Sequence, residues 1–220
     1  VRYGPHRSQV VELDEPVGAA RATVLLLHGG YWRARHGLEL MRPLVPSLVD
    51  AGLRVANVEY RRVGDGGGWP RTLEDVVAAR DAVGGDPVVV VGHSAGAQLG
   101  ICLAKRGGVR GVLSLSGVLD LRATAEQGLG EGAAEPFLGG SPEQVPEVYA
   151  AASPVELVPV GVPVTCLHGD ADQRVPLEQA ERFAALGGGR LVVVPGDHFA
   201  VVDPASAAWR VALAELAALL

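Results

Sequence analysis

The sequence predicts an α/β fold: a doubly wound, mostly parallel sheet with a small or absent cap. Three observations carry this expectation. Apolar strand-like runs and helical patterns alternate from residue 22 onward, the order that wraps a parallel sheet with helices on both faces. Two of the runs, Ala22-Thr23-Val24-Leu25-Leu26-Leu27 and Val88-Val89-Val90-Val91, are almost unbroken in apolar character, as strands covered on both faces are. The second run leads directly into Gly92-His93-Ser94-Ala95-Gly96 and then into a helical pattern. Strand, Gly-x-Ser-x-Gly and helix in that order form a sharp turn that holds the serine at its tip. Glycine is needed at both ends of the motif, where a Cβ would collide with the neighbouring strand and helix.

Taken in order, Gln9-Val10-Val11-Glu12-Leu13 reads as a short edge strand, ended by Pro16 and Gly18. The Ala22–Leu27 strand empties into His28-Gly29-Gly30-Tyr31-Trp32. Leu38 to Val49 has helical spacing, with Pro43 and Pro46 placed to bend or break it. Leu53 to Val58 is the next strand. A Gly-rich loop from Gly64 to Gly68 precedes a helix in which Thr72 and Asp75 have capping-box spacing and Leu73, Val76, Val77 and Val83 share a face. The helix after the serine closes on Lys105-Arg106-Gly107-Gly108, cations and then glycine, as helix C-termini favour. Gly111 to Leu115 and Val162 to Leu167 are strands. Between them, from Asp120 to about Pro154, the chain reads as irregular and offers the only room for a cap. Pro176 to Leu186 is a helix with proline in its first turn, Leu191 to Val194 is the last strand, and Asp203-Pro204 begins a terminal helix with Trp209, Leu213, Leu216 and Leu220 on one face. No repeat or linker divides the sequence, so residues 1–220 are read as one domain with a cap-like insertion at about 120–154.

Bulk composition narrows the function classes. The chain has 220 residues, 48% of them hydrophobic, which is enough for a large core. Its net charge of −6 and the absence of any Lys/Arg run argue against nucleic acid and anionic membrane as partners. Cys102 and Cys166 sit in apolar segments and read as small buried hydrophobes. Val1-Arg2-Tyr3-Gly4-Pro5 lacks the apolar run of a signal peptide, and no stretch reaches the length of a membrane span. A cytoplasmic location is expected. The sequence opens on Val1 instead of methionine, so a leader removed before residue 1 stays open. A monomer or homodimer is expected; the terminal helix around Trp209 is the candidate dimer contact, with core packing as the alternative reading.

The serine turn points to nucleophilic chemistry. A serine hydroxyl needs a base within hydrogen-bond reach, and the base needs an orienting acid. In a doubly wound sheet both belong in loops after strand C-termini. The acid lies in His168-Gly169-Asp170-Ala171-Asp172, where Asp170 and Asp172 compete. Val175-Pro176, three and four residues on, favours Asp172; Asp170 alternatively reads as a turn former. Of six histidines, only His198 occupies the loop after the last strand. His6 and His36 fall in surface-like segments, and His28, His93 and His168 read as structural. No histidine pair has metal-ligand spacing, and no metal or organic cofactor is implied. The oxyanion of an acyl-transfer reaction needs preorganised N–H donors. By position these are the amides of Ala95, Gly30 and Tyr31. Tyr31, Trp32, Tyr60, Trp69, Phe137, Tyr149 and Phe199 are the aromatic candidates for a substrate wall, with Trp32, Tyr60 and Phe199 selected for substrate binding.

These motifs resemble the α/β-hydrolase superfamily. Within it, His28-Gly29-Gly30-Tyr31-Trp32 is similar to the HGGxW motif of kynurenine formamidases (arylformamidases). Gly92-His93-Ser94-Ala95-Gly96-Ala97-Gln98-Leu99, Leu115-Ser116-Gly117-Val118-Leu119-Asp120-Leu121 and Asp197-His198-Phe199 resemble that family's GHSAGAHL, SGVYDL and DHF segments. The resemblance implies Ser94 as nucleophile, Asp172 as acid, His198 as base and N-formyl-L-kynurenine as substrate. A short cap and few aromatic residues depart from a pocket built for an aniline ring. Hydrolysis of a small carboxylic ester and of an N-formyl amide both stay open, with a small-molecule acyl substrate in either case. The competing class is a non-catalytic small-ligand sensor on the same fold, which would be expected to lack one of the three residues.

Overall fold

A computed structural model describes residues 1–85 and 87–220. Among the described residues the strands are β1 (Val10–Asp14), β2 (Thr23–Leu27), β3 (Arg54–Glu59), β4 (Val88–His93), β5 (Gly111–Leu115), β6 (Val164–Gly169) and β7 (Arg190–Val194). They form one sheet in the order β1-β3-β2-β4-β5-β6-β7. β1 pairs antiparallel with β3 at the edge, and every other pairing is parallel. After β3 the chain crosses back over β2 to lay down β4. The topology therefore reverses at β2 and β4, and a crevice opens beyond their carboxyl ends.

Period-two alternation sorts the strand side chains into two cores. Leu25, Leu27, Val88 and Val90 face one way, against Leu73, Val76 and Ala79 of α2 (Arg71–Val83), Leu99 and Leu103 of α3 (Ala95–Arg106), and Phe183 of α8 (Leu177–Ala185). Val24, Leu26, Val89 and Val91 face the other way, against Leu48 of α1 (Val45–Asp50) and Trp209 and Leu216 of α9 (Ala207–Ala217). Every residue of β2 and β4 is buried. This is why both read as near-continuous apolar runs. Trp209 lies inside this second core with its Nε1 donating to Ser47 Oγ at 3.0 Å, so core packing accounts for it. Both cysteines are free and buried, and burial pushes each thiol up to about 12.

Several local expectations change. The Thr72–Asp75 capping box does not form. Thr72 lies inside α2 after Pro70, where its Oγ1 donates to Arg61 O at 2.7 Å. Asp75 is buried and takes the guanidinium of Arg61 and the amide of Gln9 instead. Tertiary partners outcompete the local cap. Leu38 to Asp50 is two single 3₁₀ turns followed by α1, with prolines opening the second turn and the helix. The segment from Asp120 to Pro154 is mostly helical: α4 (Leu121–Glu126), the kinked turn α5 (Leu129–Gly132), α6 (Ala134–Leu138) and α7 (Pro146–Ala152). These pieces are too short and too rich in glycine to show a helical period in sequence. No described helix is long and apolar enough to cross a membrane.

Candidate active site

The site is built on the turns that follow β2, β4, β6 and β7. β4 ends at His93, and Ser94 follows with φ 54° and ψ −117°, a conformation that costs a non-glycine residue of order 1–3 kcal/mol. The surroundings enforce it. The Ser94 amide donates to Leu115 O at 2.9 Å, and its carbonyl accepts from the amides of Ala97 and Val118, each at 3.1 Å. A Cβ on Gly92 would come within 2.6 Å of Gly96 O, and one on Gly96 would overlap the carbonyl oxygens of Leu27 and His28. Both glycines therefore permit the close approach of α3 to β2 and β4.

Asp172 follows β6, and His198 follows β7. His198 Nδ1 lies 2.7 Å from Asp172 Oδ2. The other carboxylate oxygen accepts from the amides of Arg174 (2.8 Å) and Val175 (3.0 Å), and His168 Nε2 stands 3.3 Å from Oδ2. Burial alone would raise the Asp172 carboxyl, but hydrogen bonds from His168 and His198 outweigh it and hold the group well below the usual carboxylate range. Asp170 takes no part in this. It accepts from the Gly196 amide at 3.0 Å and ties the β6 and β7 turns together.

Ser94 and His198 line one cavity of about 280 Å³. Ser94 is bonded through its backbone, and no hydrogen bond joins its hydroxyl to the His198 ring in this structure. Apo sites commonly tighten such contacts only when substrate binds. Gly30 and Tyr31 form another part of the wall. Gly30 needs its glycine: φ is 108°, and a Cβ would come within 2.5 Å of His36. Tyr31 and Trp32 follow with φ 51° and 56°. Outside regular elements, no described acceptor takes the amide of Gly30, Tyr31 or Ala95. The loop is clamped from behind by His28, whose Nδ1 lies 2.7 Å from Gly29 O and whose Nε2 lies 3.0 Å from Glu59 Oε1.

The aromatic wall needs correction. Trp32 is buried, stacked on Phe137 with ring centroids 4.3 Å apart, and donates from Nε1 to Gln98 Oε1 at 3.0 Å. Tyr60 is buried, stacked on His28, and its hydroxyl donates to His28 O at 2.6 Å. Neither reaches the cavity, nor do Trp69, Phe137 and Tyr149; Tyr31 and Phe199 do. A buried Trp or Tyr needs a partner for its polar atom, and for both residues that partner lies in the core. Sequence reasoning missed Arg35, His36, Leu40, Gly130, Glu131 and Arg174, which complete the wall. The irregular stretch from Gly128 to Gly132 was the available signal for Gly130 and Glu131. Arg33 holds that turn in place through Gly130 O (2.6 Å) and Glu131 Oε2 (2.8 Å).

His93 lies beside the pair, its Nε2 donating to His198 O at 3.1 Å. Burial pushes its imidazole down to about 3. An unfolded histidine takes up its proton near pH 6.5, so between pH 6.5 and 3 the unfolded chain binds more protons than the folded one. Stability is therefore lost as the pH falls through that window. Wild type should lose about 2 kcal/mol more than His93→Gln on going from pH 7.5 to 5, because glutamine keeps a donor and does not titrate. Urea midpoints at the two pH values measure this, and parallel profiles would refute it.

Comparison with known proteins agrees with this architecture. The solved carbohydrate esterase from gut microbiota superposes with a TM-score of 0.78 at 18% identity, covering 90% of this chain and 87% of that one. Esterase B from Lactobacillus rhamnosis gives 0.77 at 19% identity, covering 99% and 84%. Carboxyl esterase 2 from Tuber melanosporum gives 0.75 at 21%, covering 98% and 84%. These likenesses identify the α/β-hydrolase fold. In sequence, the uncharacterized protein YfhR of Salmonella typhimurium is 26% identical over 203 residues, 81% of this chain; the chain spans 65% of that relative's length. The BD-FAE family model matches residues 13–186, which takes in Ser94 and Asp172 and stops before His198. With most of its sheet, its serine turn and the Asp172 loop inside that match, the chain belongs to the BD-FAE family.

Proposed function

We propose that this chain is a serine esterase acting on small carboxylic esters through Ser94, His198 and Asp172. The observation that carries the reading is the buried 2.7 Å contact between His198 and Asp172 at the wall of the cavity that Ser94 lines. In this reaction Ser94 Oγ attacks the ester carbonyl as His198 Nε2 takes its proton. Asp172 keeps the Nδ1–H tautomer and stabilises the imidazolium. The oxyanion takes hydrogen bonds from the amides of Ala95, Gly30 and Tyr31. His198 then protonates the departing alkoxide, leaving an acyl-serine. Water, activated by the same imidazole, releases the acid and restores Ser94. The cavity volume of about 280 Å³ lies at the small end of ligand pockets and suits short acyl groups.

A second reading, hydrolysis of an N-formyl amide, draws on one contact. The Trp32–Gln98 hydrogen bond joins the HGGYW loop to the GHSAGAQL stretch, the two segments that carry the formamidase resemblance. A rate comparison of 4-nitrophenyl acetate, 4-nitrophenyl butyrate and N-formylkynurenine, paired with fluorophosphonate labelling, tests both readings. Labelling at Ser94 and faster ester turnover are expected. Absence of labelling together with absence of ester turnover would overturn the esterase reading.

A further inference from the structure

We propose that Arg174 binds a carboxylate on the leaving-group half of the substrate, so that the preferred esters are those of an anionic alcohol or phenol. The inference rests on the esterase reading above. Arg174 lines the same cavity as Ser94 and His198. Its backbone is pinned on both sides: its amide donates to Asp172 Oδ1 at 2.8 Å, and its carbonyl accepts from Tyr31 Oη at 2.7 Å. Its side chain is held differently. The guanidinium carbon lies 5.6 Å from the centroid of the Phe199 ring, and among the described residues no carboxylate lies within ion-pair distance of it.

Of the charged residues that line the cavity, Arg35 and Arg174 are cationic and Glu131 is anionic. Glu131, the acid at its rim, is faced by two arginines, Arg33 at 2.8 Å and Arg35 at 3.4 Å. Asp197 accepts from the amides of Phe199 and Ala200, and Asp172 is engaged by His198. Burial holds the His36 imidazole below its ordinary value, so it adds no charge at neutral pH. An anionic group entering here finds the planar donor fork of Arg174, whose geometry matches a carboxylate.

The position of Arg174 relative to His198 identifies which half of the ester it meets. His198 hands its proton to the departing oxygen, so the leaving group must lie on the imidazole side of the serine. Phe199 stands against that imidazole, with ring centroids 5.3 Å apart, and Arg174 lies over Phe199. Phe199 is 51% exposed and presents a flat apolar face on which an aryl leaving group can stack.

The test compares 4-acetoxybenzoate with its neutral methyl ester, methyl 4-acetoxybenzoate, which share an acyl group and an aryl skeleton. The ratio of kcat/KM for the charged over the neutral ester should fall about fivefold in Arg174→Gln. Arg174→Lys should restore part of it. Added salt should shrink the wild-type ratio, since a rim charge is screened. Melting curves establish that the variants are folded. An unchanged ratio in Arg174→Gln, with both esters turned over, overturns this proposal and leaves the esterase reading standing. Turnover of neither ester by a wild type that still hydrolyses 4-nitrophenyl acetate overturns this proposal alone; no turnover of any of the three, with no labelling at Ser94, overturns both.

Discussion

Ser94→Ala should lower ester turnover at least about a thousandfold while the protein stays folded. The size of the effect follows from chemistry: alanine offers no oxygen to attack the carbonyl, so the acyl-enzyme route closes. What survives is oxyanion and binding assistance to water. The fold should tolerate the change because Ser94 holds its place through backbone groups. Its amide bond to Leu115 and its carbonyl bonds to Ala97 and Val118 are all available to alanine. The strained φ of 54° is imposed by that frame, and alanine pays a similar cost in it. Steady-state rates on 4-nitrophenyl butyrate, with circular dichroism melts, check the two halves together. A variant that keeps more than a tenth of wild-type kcat would remove Ser94 from its role.

Asp172→Asn should cost about 10⁴ in kcat. The two oxygens of Asp172 do separate jobs. Oδ1 accepts two backbone amides, which asparagine can keep through its own carbonyl oxygen. The amide nitrogen must then occupy the place of Oδ2, facing His198 Nδ1 and His168 Nε2. His168 already donates from Nε2 to Val175 O at 2.9 Å. His198 can satisfy the new N–H only by turning Nδ1 into an acceptor, which moves its proton to Nε2. The nitrogen that should take the serine proton is then occupied. Stopped-flow acylation rates read this directly, and a variant above about 1% of wild-type kcat would contradict it. The stability that Asp172 contributes has a definite pH sense. Its carboxyl is held below the unfolded value, so the contribution is present at and above the usual carboxylate range. It is lost progressively as the pH falls from the unfolded value down through the lower folded one.

The two variants separate roles that one cavity combines. Loss of the nucleophile leaves His198 and Asp172 paired; loss of the acid leaves the nucleophile present with a mis-set base. Arg174 differs from both, because its guanidinium touches neither the reacting oxygen nor the imidazole. It should change which ester is chosen more than how the bond is broken.

Much of this architecture was legible along the chain, and the reason is locality. β2 and β4 read as strands because both faces are buried, which removes polar residues from the run itself. The turn at Ser94 could be read because each glycine is required by atoms a few residues away or on the adjoining strand. Asp172 and His198 could be placed because the loops after parallel strands all open on the same end of the sheet. The helices between Asp120 and Pro154 were not legible, since each spans seven residues or fewer and is held by packing more than by its own periodicity. The Thr72–Asp75 spacing suggested a cap, yet Arg61 and Gln9, distant in sequence, claim both side chains.

The sequence by itself determined the α/β alternation, the serine turn and the loops that hold Asp172 and His198. Each of these depends on residues within a few positions of one another. Only the tertiary structure decided what surrounds them. Trp32 and Tyr60 had to lie either in the core or in the cavity. Positive φ at Tyr31 and Trp32, with Phe137 about a hundred residues on and Gln98 66 residues on, placed Trp32 in the core, and His28 did the same for Tyr60. The vacated wall went to Arg35, His36, Glu131 and Arg174. Those four come from three separate loops, and no local pattern joins them. Their meeting is a property of the sheet that carries the loops.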